Sequence, residues 1–329
     1  MLLTLHHFTN PMWFERLGAF ARRENIPLFL RFVEKAVECF GDLVSEYITI
    51  NEPNVYAYFG YYTGEWPPGV RSMSQMCRVM SNLCVCHILA YERIHTMRAE
   101  QGYEDTMVSF AAHLRVFEPR NARNPFHIMA TRLSERMFQG AMSRAFLTGR
   151  FSWPLYNTGK LPEGRYADFL GLNYYTRSFM AGLSEQQTIG VPINDLGWEI
   201  YPQGLEQTAG KLYDILPLPI YVTENGTCDS DDSFRSLFIY DHLKVITESD
   251  LPFAAYYHWC FTDNFEWLEG ENARFGIVHI DYETSARRIK KSGEFLSAVL
   301  KAGGVTQAIM EEYLSGQTYR ISTEGRFTL

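Results

Sequence analysis

Short apolar runs alternate with longer segments of helical periodicity along the whole chain. The apolar runs lie at 2–8, 46–51, 106–112, 167–174, 218–223 and 253–259, and candidate helices lie near 31–40, 75–100, 126–147, 203–215 and 233–249. Residues 253–257 are apolar at successive positions, as expected when both faces of a parallel strand are covered. The alternation predicts repeated βα units and a parallel sheet wrapped by helices.

Polar or aromatic side chains stand at the ends of several predicted strands. Reactive groups of (β/α)8 barrels meet where the strands end, whereas an open doubly wound sheet often carries a glycine-rich phosphate loop after its first strand, and we find no such loop. The pattern favours a (β/α)8 TIM barrel, and no repeat or linker divides residues 1–329, which predicts a single domain. The strand-end residues are His7, Asn51, Glu52, Asn173, Tyr175, Glu224, Asn225 and Trp259.

Two of these strand-end residues are acidic. Glu52 closes the run 47–51, and Glu224 closes the run 219–223. Two carboxyl groups that face one another are the minimal equipment for cleaving a glycosidic bond. The pair therefore makes a sugar hydrolase the leading functional hypothesis.

Composition and charge narrow the class of partner. The 329 residues are 46% hydrophobic, enough for a large core, and the net charge of −8 comes without a basic stripe, which argues against nucleic acid. No apolar run approaches the roughly 18 residues needed to span a bilayer, and the start of the chain lacks a signal-peptide pattern. We expect a cytoplasmic enzyme with no membrane partner. The six scattered cysteines lack zinc-site or disulfide spacings, so reduced thiols and no metal or other cofactor are predicted.

Three motifs in order carry a resemblance to a known family. They are TINEP at 49–53, YVTENG at 221–226 and DNFEW at 263–267, and further matches are TLHHF at 4–8, DFLGLNYY at 168–175, GWEIYP at 197–202 and RFGIV at 274–278. Together they resemble glycoside hydrolase family 1, the β-glucosidase and β-galactosidase family. The resemblance extends over nearly the whole chain and implies a (β/α)8 barrel.

The resemblance also implies a mechanism. It makes the chain a retaining exo-β-glycosidase that cleaves unphosphorylated β-glucosides or β-galactosides through a covalent glycosyl-enzyme intermediate, with Glu52 as acid/base and Glu224 as nucleophile. The acid must hold a proton while the nucleophile stays ionised, so their surroundings must separate their pKa values. In retaining enzymes the two carboxyl groups lie roughly 5 to 5.5 Å apart.

A sugar-binding set follows from the same resemblance. It implies that Asn51 bonds the sugar 2-hydroxyl, that Tyr175 donates to the nucleophile and that Trp259 stacks on the sugar. Asn173 should share the face of its strand with Tyr175. The remaining members are His7, Glu266 and Trp267 as hydroxyl partners and Phe275 as a pocket wall. The alternative for each polar member is a capping or core role, and for each aromatic member it is core packing.

Two other groups of residues have simpler interpretations. The acidic residues after Glu266, within 268–271, would repel a phosphate dianion, which makes a 6-phospho-β-glycosidase the less favoured alternative. The other histidines share no spacing and are interpreted as packed or surface residues: His87, His95, His113, His127, His242, His258 and His279.

The front of the chain departs from the family pattern. Members usually carry two βα units before the motif at 4–8, so we expect about six of the eight strands and exposed strand edges. One option is that a second copy of the chain covers the open edge, another is that the tail 303–329 does, and a third is that the chain opens or aggregates. The alternative function is a catalytically silent protein that binds a sugar or a partner.

Overall fold

The computed structural model describes residues 1–182, 184–186 and 188–323. Its strands are β1 (Leu2–Thr4), β2 (Glu46–Asn51), β3 (Met107–Pro119), β4 (Leu170–Ala181), β5 (Ser184–Gln186), β6 (Pro192–Ile193), β7 (Ile220–Asn225), β8 (Phe253–His258), β9 (Val278–Ile280), β10 (Arg287–Ile289) and β11 (Arg320–Ile321). All six predicted strands are present.

The predicted helices are also present. The α-helices are α1 (Met12–Arg16), α2 (Ile26–Phe40), α3 (Pro53–Tyr58), α4 (Met73–Glu100), α5 (Pro125–Glu135), α6 (Ala141–Thr148), α7 (Gln203–Tyr213), α8 (Arg235–Glu248), α9 (Lys291–Ala302) and α10 (Gln307–Tyr313). Short 3₁₀ turns lie at Ala19–Ala21, Arg23–Asn25 and Trp267–Glu269, and π-helical turns lie at Phe59–Thr63 and Arg136–Gly140.

The main sheet follows the order of the chain. Its strands are arranged β1-β2-β3-β4-β7-β8, and β5 pairs with β4 at the side. β1 pairs with β2, and β2 with β3, in parallel. Among the described residues the main path therefore has six strands separated by helices, which confirms the predicted βα organisation.

Two strands extend well beyond their predicted ends. β3 continues past 112 and β4 past 174, into segments where half-buried residues alternate with buried ones. Arg115 on β3 donates to the hydroxyl of Ser178 on β4 at 3.0 Å. Polar side chains that pair with each other across strands therefore prolong the sheet where an apolar pattern has already ended.

The described chain contains two compact units. The first consists of residues 1–113, 133–173 and 211–221, and the second of 114–132, 174–210 and 222–329 as far as it is described. The boundaries fall within the strands β3, β4 and β7 and within the helices α5 and α7. The single domain expected from the sequence stays a prediction.

In the first unit, helices α2 and α4 cover the strands. Buried Thr49 on β2 contacts the Nδ1 atom of His87 on α4 at 2.7 Å, and the other ring nitrogen of His87 lies 2.8 Å from the carbonyl of Tyr166. Phe169 and Tyr221 stack with ring centroids 4.3 Å apart. These contacts fix β2, whose last residue immediately precedes Glu52.

In the second unit, a separate apolar cluster forms around Phe234, Phe238 and Phe295. Tyr319 packs against this cluster and donates to Asp241 at 2.6 Å, while β11 pairs antiparallel with β6. The described part of the tail is thus bound within the second unit. The tail 303–329 is one predicted cover for the open strand edge, and its last residues, 324–329, lie outside the described residues. The other predicted cover, a second copy of the chain in a homo-oligomer, stays a prediction.

Candidate active site

Glu52 forms a sharp corner between β2 and α3. Its backbone is left-handed, with φ 43° and ψ 59°. Its N–H donates to the carbonyl of Ala111 at 2.8 Å, and its own carbonyl accepts from the N–H of Tyr56 at 3.1 Å. A non-glycine residue in a sparsely populated backbone region costs on the order of 1 to 3 kcal/mol, and such residues cluster at functional sites. Pro53 then opens α3, a position that proline favours.

Hydrogen bonds link Glu52, directly or through one another, to three of the predicted site residues in the first unit. The Asn173 amide donates to Oε1 of Glu52 at 2.9 Å and to Oδ1 of Asn51 at 3.1 Å. The Asn51 amide lies 3.2 Å from Nε2 of His7, and because an amide nitrogen only donates, that ring nitrogen accepts. Burial lowers the pKa of His7 below its ordinary value, against the raising effect of Glu52. The structure therefore brings His7, Asn51, Glu52 and Asn173 together.

His113 is a further partner of Glu52. Its Nδ1 atom lies 3.0 Å from Oε1 of Glu52, and both residues are buried. Burial raises the pKa of Glu52, but the charge and hydrogen bond of His113 and the hydrogen bond of Asn173 outweigh it and hold that pKa below 4.5. The direction is opposite to the one expected for an acid that holds its proton, because a basic group faces this carboxyl.

The interpretation of His113 as an ordinary packed histidine missed this contact. A usable signal was present in the sequence. His113 directly follows the apolar run 106–112, in the same relation to its strand that first singled out Glu52. The strand-end rule applied to every run would have included it.

In the second unit, Glu224 lies near the end of β7 and binds Tyr175. The Tyr175 hydroxyl donates to Oε2 of Glu224 at 2.7 Å, and both side chains are buried. Tyr175 is two residues beyond Asn173 on β4. A hydroxyl that donates to a carboxylate favours the ionised form of that carboxylate.

Trp259 and Glu266 form a second pair in this unit. The indole Nε1 of Trp259 donates to Oε1 of Glu266 at 3.1 Å. The position of the Trp259 backbone requires a glycine at 226, because a Cβ at that position would lie 1.7 Å from the Trp259 carbonyl oxygen. The glycine of the predicted motif 221–226 thus allows the Trp259 backbone to approach β7.

A buried aspartate ties down the loop that carries Glu266 and Trp267. Asp263 accepts from Nζ of Lys290 at 2.9 Å and from the N–H of Gly276 at 2.9 Å. Trp267 itself begins a 3₁₀ turn in a left-handed conformation, with φ 50°. The loop is therefore fixed by charge-assisted hydrogen bonds close to its start.

Phe275 packs inside an aromatic cluster of the second unit. Its ring centroid lies 6.4 Å from that of Tyr175 and 5.9 Å from that of Trp198, and only 3% of the residue is exposed. Phe275 therefore packs against the ring of Tyr175. Its role as a pocket wall stays a prediction. Trp198 had no role assigned from sequence, although it lies in the motif 197–202.

Among the described residues, no group of three or more His, Cys, Asp and Glu side chains is arranged to hold a metal ion. All six cysteines are free thiols. Within the same described residues, no helix combines the length and the apolarity needed to cross a bilayer, not even α4 with its 28 residues.

Comparison with known proteins places the chain in a class and then in a family. The family model described as glycosyl hydrolase family 1 matches residues 1–305. By class the chain is therefore an O-glycoside hydrolase of the β-glucosidase type. Within that class it belongs to glycosyl hydrolase family 1.

Similar proteins cover most of the chain. Beta-glucosidase A of Thermotoga maritima is 30% identical over 339 residues, which cover 92% of this chain and 74% of the relative. A beta-galactosidase of Pyrococcus woesei is 27% identical, over 96% of this chain and 71% of the relative.

Solved structures agree with the sequence relatives. The beta-glycosidase from Pyrococcus horikoshii matches with a TM-score of 0.84 and 31% identity, over 95% of this chain and 74% of that one. The beta-glucosidase from Thermotoga maritima in complex with glucoimidazole gives a TM-score of 0.83 and 28% identity, over 92% and 74%. These similarities confirm the predicted fold class, the (β/α)8 TIM barrel, with six main-sheet strands in the described residues.

Proposed function

We propose that the chain is a retaining exo-β-glycosidase. It hydrolyses unphosphorylated β-glucosides or β-galactosides through a covalent glycosyl-enzyme intermediate. Glu224 is the nucleophile and Glu52 is the general acid/base. The supporting observation is that Glu52 directly follows β2 and Glu224 lies near the end of β7, two strands of one sheet. Each carboxyl accepts a hydrogen bond from β4, Glu52 from Asn173 and Glu224 from Tyr175.

The partners of Glu224 suit a nucleophile. The nucleophile has to be ionised when it attacks the anomeric carbon. The Tyr175 hydroxyl, at 2.7 Å, stabilises the charge of Glu224 without adding a full positive charge that would suppress attack. Burial of the pair excludes water that would otherwise weaken this interaction.

The partners of Glu52 suit a group that changes its protonation twice. In the first step Glu52 gives a proton to the leaving oxygen, and in the second it takes a proton from the attacking water, so the proton count balances. Amide and imidazole side chains lie around Glu52, and the Asn173 amide can donate to the carboxyl group in both of its charge states. A pair of carboxyl groups performs these steps with about 5 to 5.5 Å between them.

The remaining predicted residues form the sugar-binding set of this proposal. Asn51 is held between Asn173 and His7, which orients its amide for the sugar 2-hydroxyl. The Glu266 carboxylate is oriented by Trp259 and accepts from sugar hydroxyls. The other members are His7 and Trp267 as hydroxyl partners, Trp259 as the stacking platform and Phe275 as a wall.

The substrate class follows from the relatives and from the charge of the Glu266 loop. The names of similar proteins include both beta-glucosidase and beta-galactosidase. The acidic residues within 268–271 disfavour a 6-phosphate. The substrate is therefore a neutral small-molecule β-glycoside or oligosaccharide, and hydrolysis by two carboxyl groups requires no cofactor.

The test combines activity with covalent trapping. Nitrophenyl β-glucoside, β-galactoside and β-fucoside are offered to the wild type and to Glu224→Ala, whose folding is checked by circular dichroism. We expect turnover by the wild type and a loss of roughly 10⁴-fold or more in the variant. A 2-deoxy-2-fluoroglycoside with a good leaving group should add one sugar mass to the peptide that contains Glu224.

Two results would contradict the proposal. One is an activity that persists unchanged in Glu224→Ala, and the other is a label on a different peptide. A wild type that binds these sugars without turning them over would instead support the catalytically silent alternative.

A further inference from the structure

The corner at Glu52 is bound to β3 at three points. The Glu52 N–H donates to Ala111, the Asn54 side chain donates to the His113 carbonyl at 2.8 Å, and the His113 ring meets Oε1 of Glu52. Asn54 is completely buried, two residues after Glu52. The backbone of His113 is therefore fixed against the helix that begins beside the acid, and its ring position follows from that attachment.

The ring also lies against an aromatic side chain. Phe138 meets the His113 ring edge-on, with centroids 6.0 Å apart. His113 and Asn173 both approach the same carboxyl oxygen, Oε1, at 3.0 and 2.9 Å. Two partners on Oε1 orient the carboxyl group, and we assign Oε2 as the oxygen that exchanges protons with the substrate.

We propose that His113 is a positioning residue for Glu52, which orients the carboxyl group and sets the pH below which glycosidic cleavage can be acid-catalysed. The inference rests on the proposed function of Glu52. The charge and the hydrogen bond of His113, whose Nδ1 lies 3.0 Å from the carboxyl, stabilise the Glu52 carboxylate, so the proton needed for the leaving oxygen is held only at lower pH. The same charge makes proton release easier in the first step, and Glu52 recovers its proton from water in the second.

Other ionisable groups act on Glu52 as well. His7, which follows β1, exerts a weaker lowering influence on the pKa of Glu52 than His113 does, and Asn173 on β4 is neutral. These groups remain in a His113 variant, so a comparison with the wild type isolates the imidazole.

Two variants separate charge from orientation. In His113→Asn the amide nitrogen stands where Nδ1 stood, so the hydrogen bond is kept and the charge is lost. In His113→Leu both are lost. The matched control is His95→Asn, which removes a histidine of the same unit whose Nε2 binds Asp168 at 2.7 Å, ahead of β4.

The measurement is the pH profile of kcat/KM. With an alkyl β-glycoside, whose leaving group needs protonation, the alkaline limb should move upward by roughly one to three pH units in both His113 variants. It should not move in His95→Asn. The leaving group of a dinitrophenyl β-glycoside departs without a proton, so the alkaline limb for this substrate should not shift. His113→Leu should also lose kcat, and His113→Asn should retain it.

An unchanged alkaline limb in His113→Asn would overturn the inference while leaving the proposed function intact. Failure of the proposed function is a different result, namely no wild-type turnover or full activity in Glu224→Ala. In that case NMR of protein that carries carboxyl-labelled glutamate still tests the effect of His113 on Glu52. The Glu52 signal is assigned by its loss in Glu52→Gln. The Glu52 titration must move to higher pH in His113→Asn, and a titration that stays in place refutes the role of His113.

Discussion

The surroundings of Glu52 and of Glu224 differ although both are buried carboxyl groups associated with strand ends. Glu52 is bound by an imidazole and an amide, and a second imidazole lies one amide further away. Glu224 is bound by a phenol that packs within an aromatic cluster. The first environment contains basic side chains, whereas the phenol that binds Glu224 is not a base.

This difference matches the roles of the two carboxyl groups in the proposed mechanism, general acid/base for Glu52 and nucleophile for Glu224. A group that donates and then accepts a proton benefits from neighbours that respond to its charge. A nucleophile benefits from neighbours that hold one charge state throughout. The backbone shows a parallel contrast, since Glu52 occupies a left-handed corner after its strand whereas Glu224 is still within β7.

The largest effect should come from Glu52→Gln. Loss of the general acid should reduce kcat/KM for an alkyl β-glycoside by about 10²- to 10⁴-fold. A dinitrophenyl β-glycoside should be far less affected in its first step, because its leaving group needs no proton. Stopped-flow measurement of the nitrophenolate burst separates the two steps. An equal loss with both substrates would show that Glu52 does not protonate the leaving group.

A smaller effect is expected from Tyr175→Phe. The substitution removes the 2.7 Å hydrogen bond to Glu224 and leaves the aromatic packing in place. A hydrogen bond to a charged group contributes about 1.5 to 3 kcal/mol, so kcat/KM should fall roughly 10- to 100-fold. The fall should be similar for both leaving groups, in contrast to Glu52→Gln.

Tyr201 offers a matched control for this substitution. It is another tyrosine of the second unit, and its hydroxyl accepts from Gln207 at 2.9 Å. Tyr201→Phe should leave kcat/KM within about twofold, because the lost hydroxyl bonds a glutamine and not a proposed catalytic carboxyl. A Tyr175→Phe variant that is as active as this control would contradict the assigned role of Tyr175.

The fold and much of the site could be predicted from sequence because both depend on local pattern. Alternating apolar runs located all six main-sheet strands, and the positions that follow them located Asn51, Glu52 and Asn173. The lowered pKa of Glu52 could not be predicted in this way. It depends on His113, which is 61 residues away in sequence and reaches Glu52 only through the pairing of β2 with β3.

Other features escaped prediction for a similar reason. The left-handed backbone of Glu52 leaves no mark in the apolar pattern, because glutamate is not a residue that favours that region. Trp198 entered the aromatic cluster through contacts with Tyr175 and Phe275, which come from distant parts of the chain. Such contacts depend on tertiary structure, which a single strand or helix pattern does not contain.

The last expected effect is on stability, and it compares the two units directly. Burial lowers the pKa of His6 in the first unit to about 4 and that of His242 in the second unit to about 4. Each is depressed below its unfolded value of 6.5, so the unfolded chain binds more protons between these values. Stability should therefore fall as pH drops from 6.5 towards 4, by about 3 kcal/mol for each histidine.

His6→Gln and His242→Asn should each reduce this acid sensitivity, because neither replacement titrates. The glutamine can keep the hydrogen bond to Asn10, and the asparagine can keep the one to the Phe238 carbonyl. The measurement is urea unfolding between pH 5 and pH 7, with the slope of unfolding free energy against pH expected to fall by up to one proton in each variant. If the chain is a single cooperative domain, both variants change the same transition. Two transitions, each sensitive to one variant only, would show that the units unfold separately and would contradict the single-domain prediction.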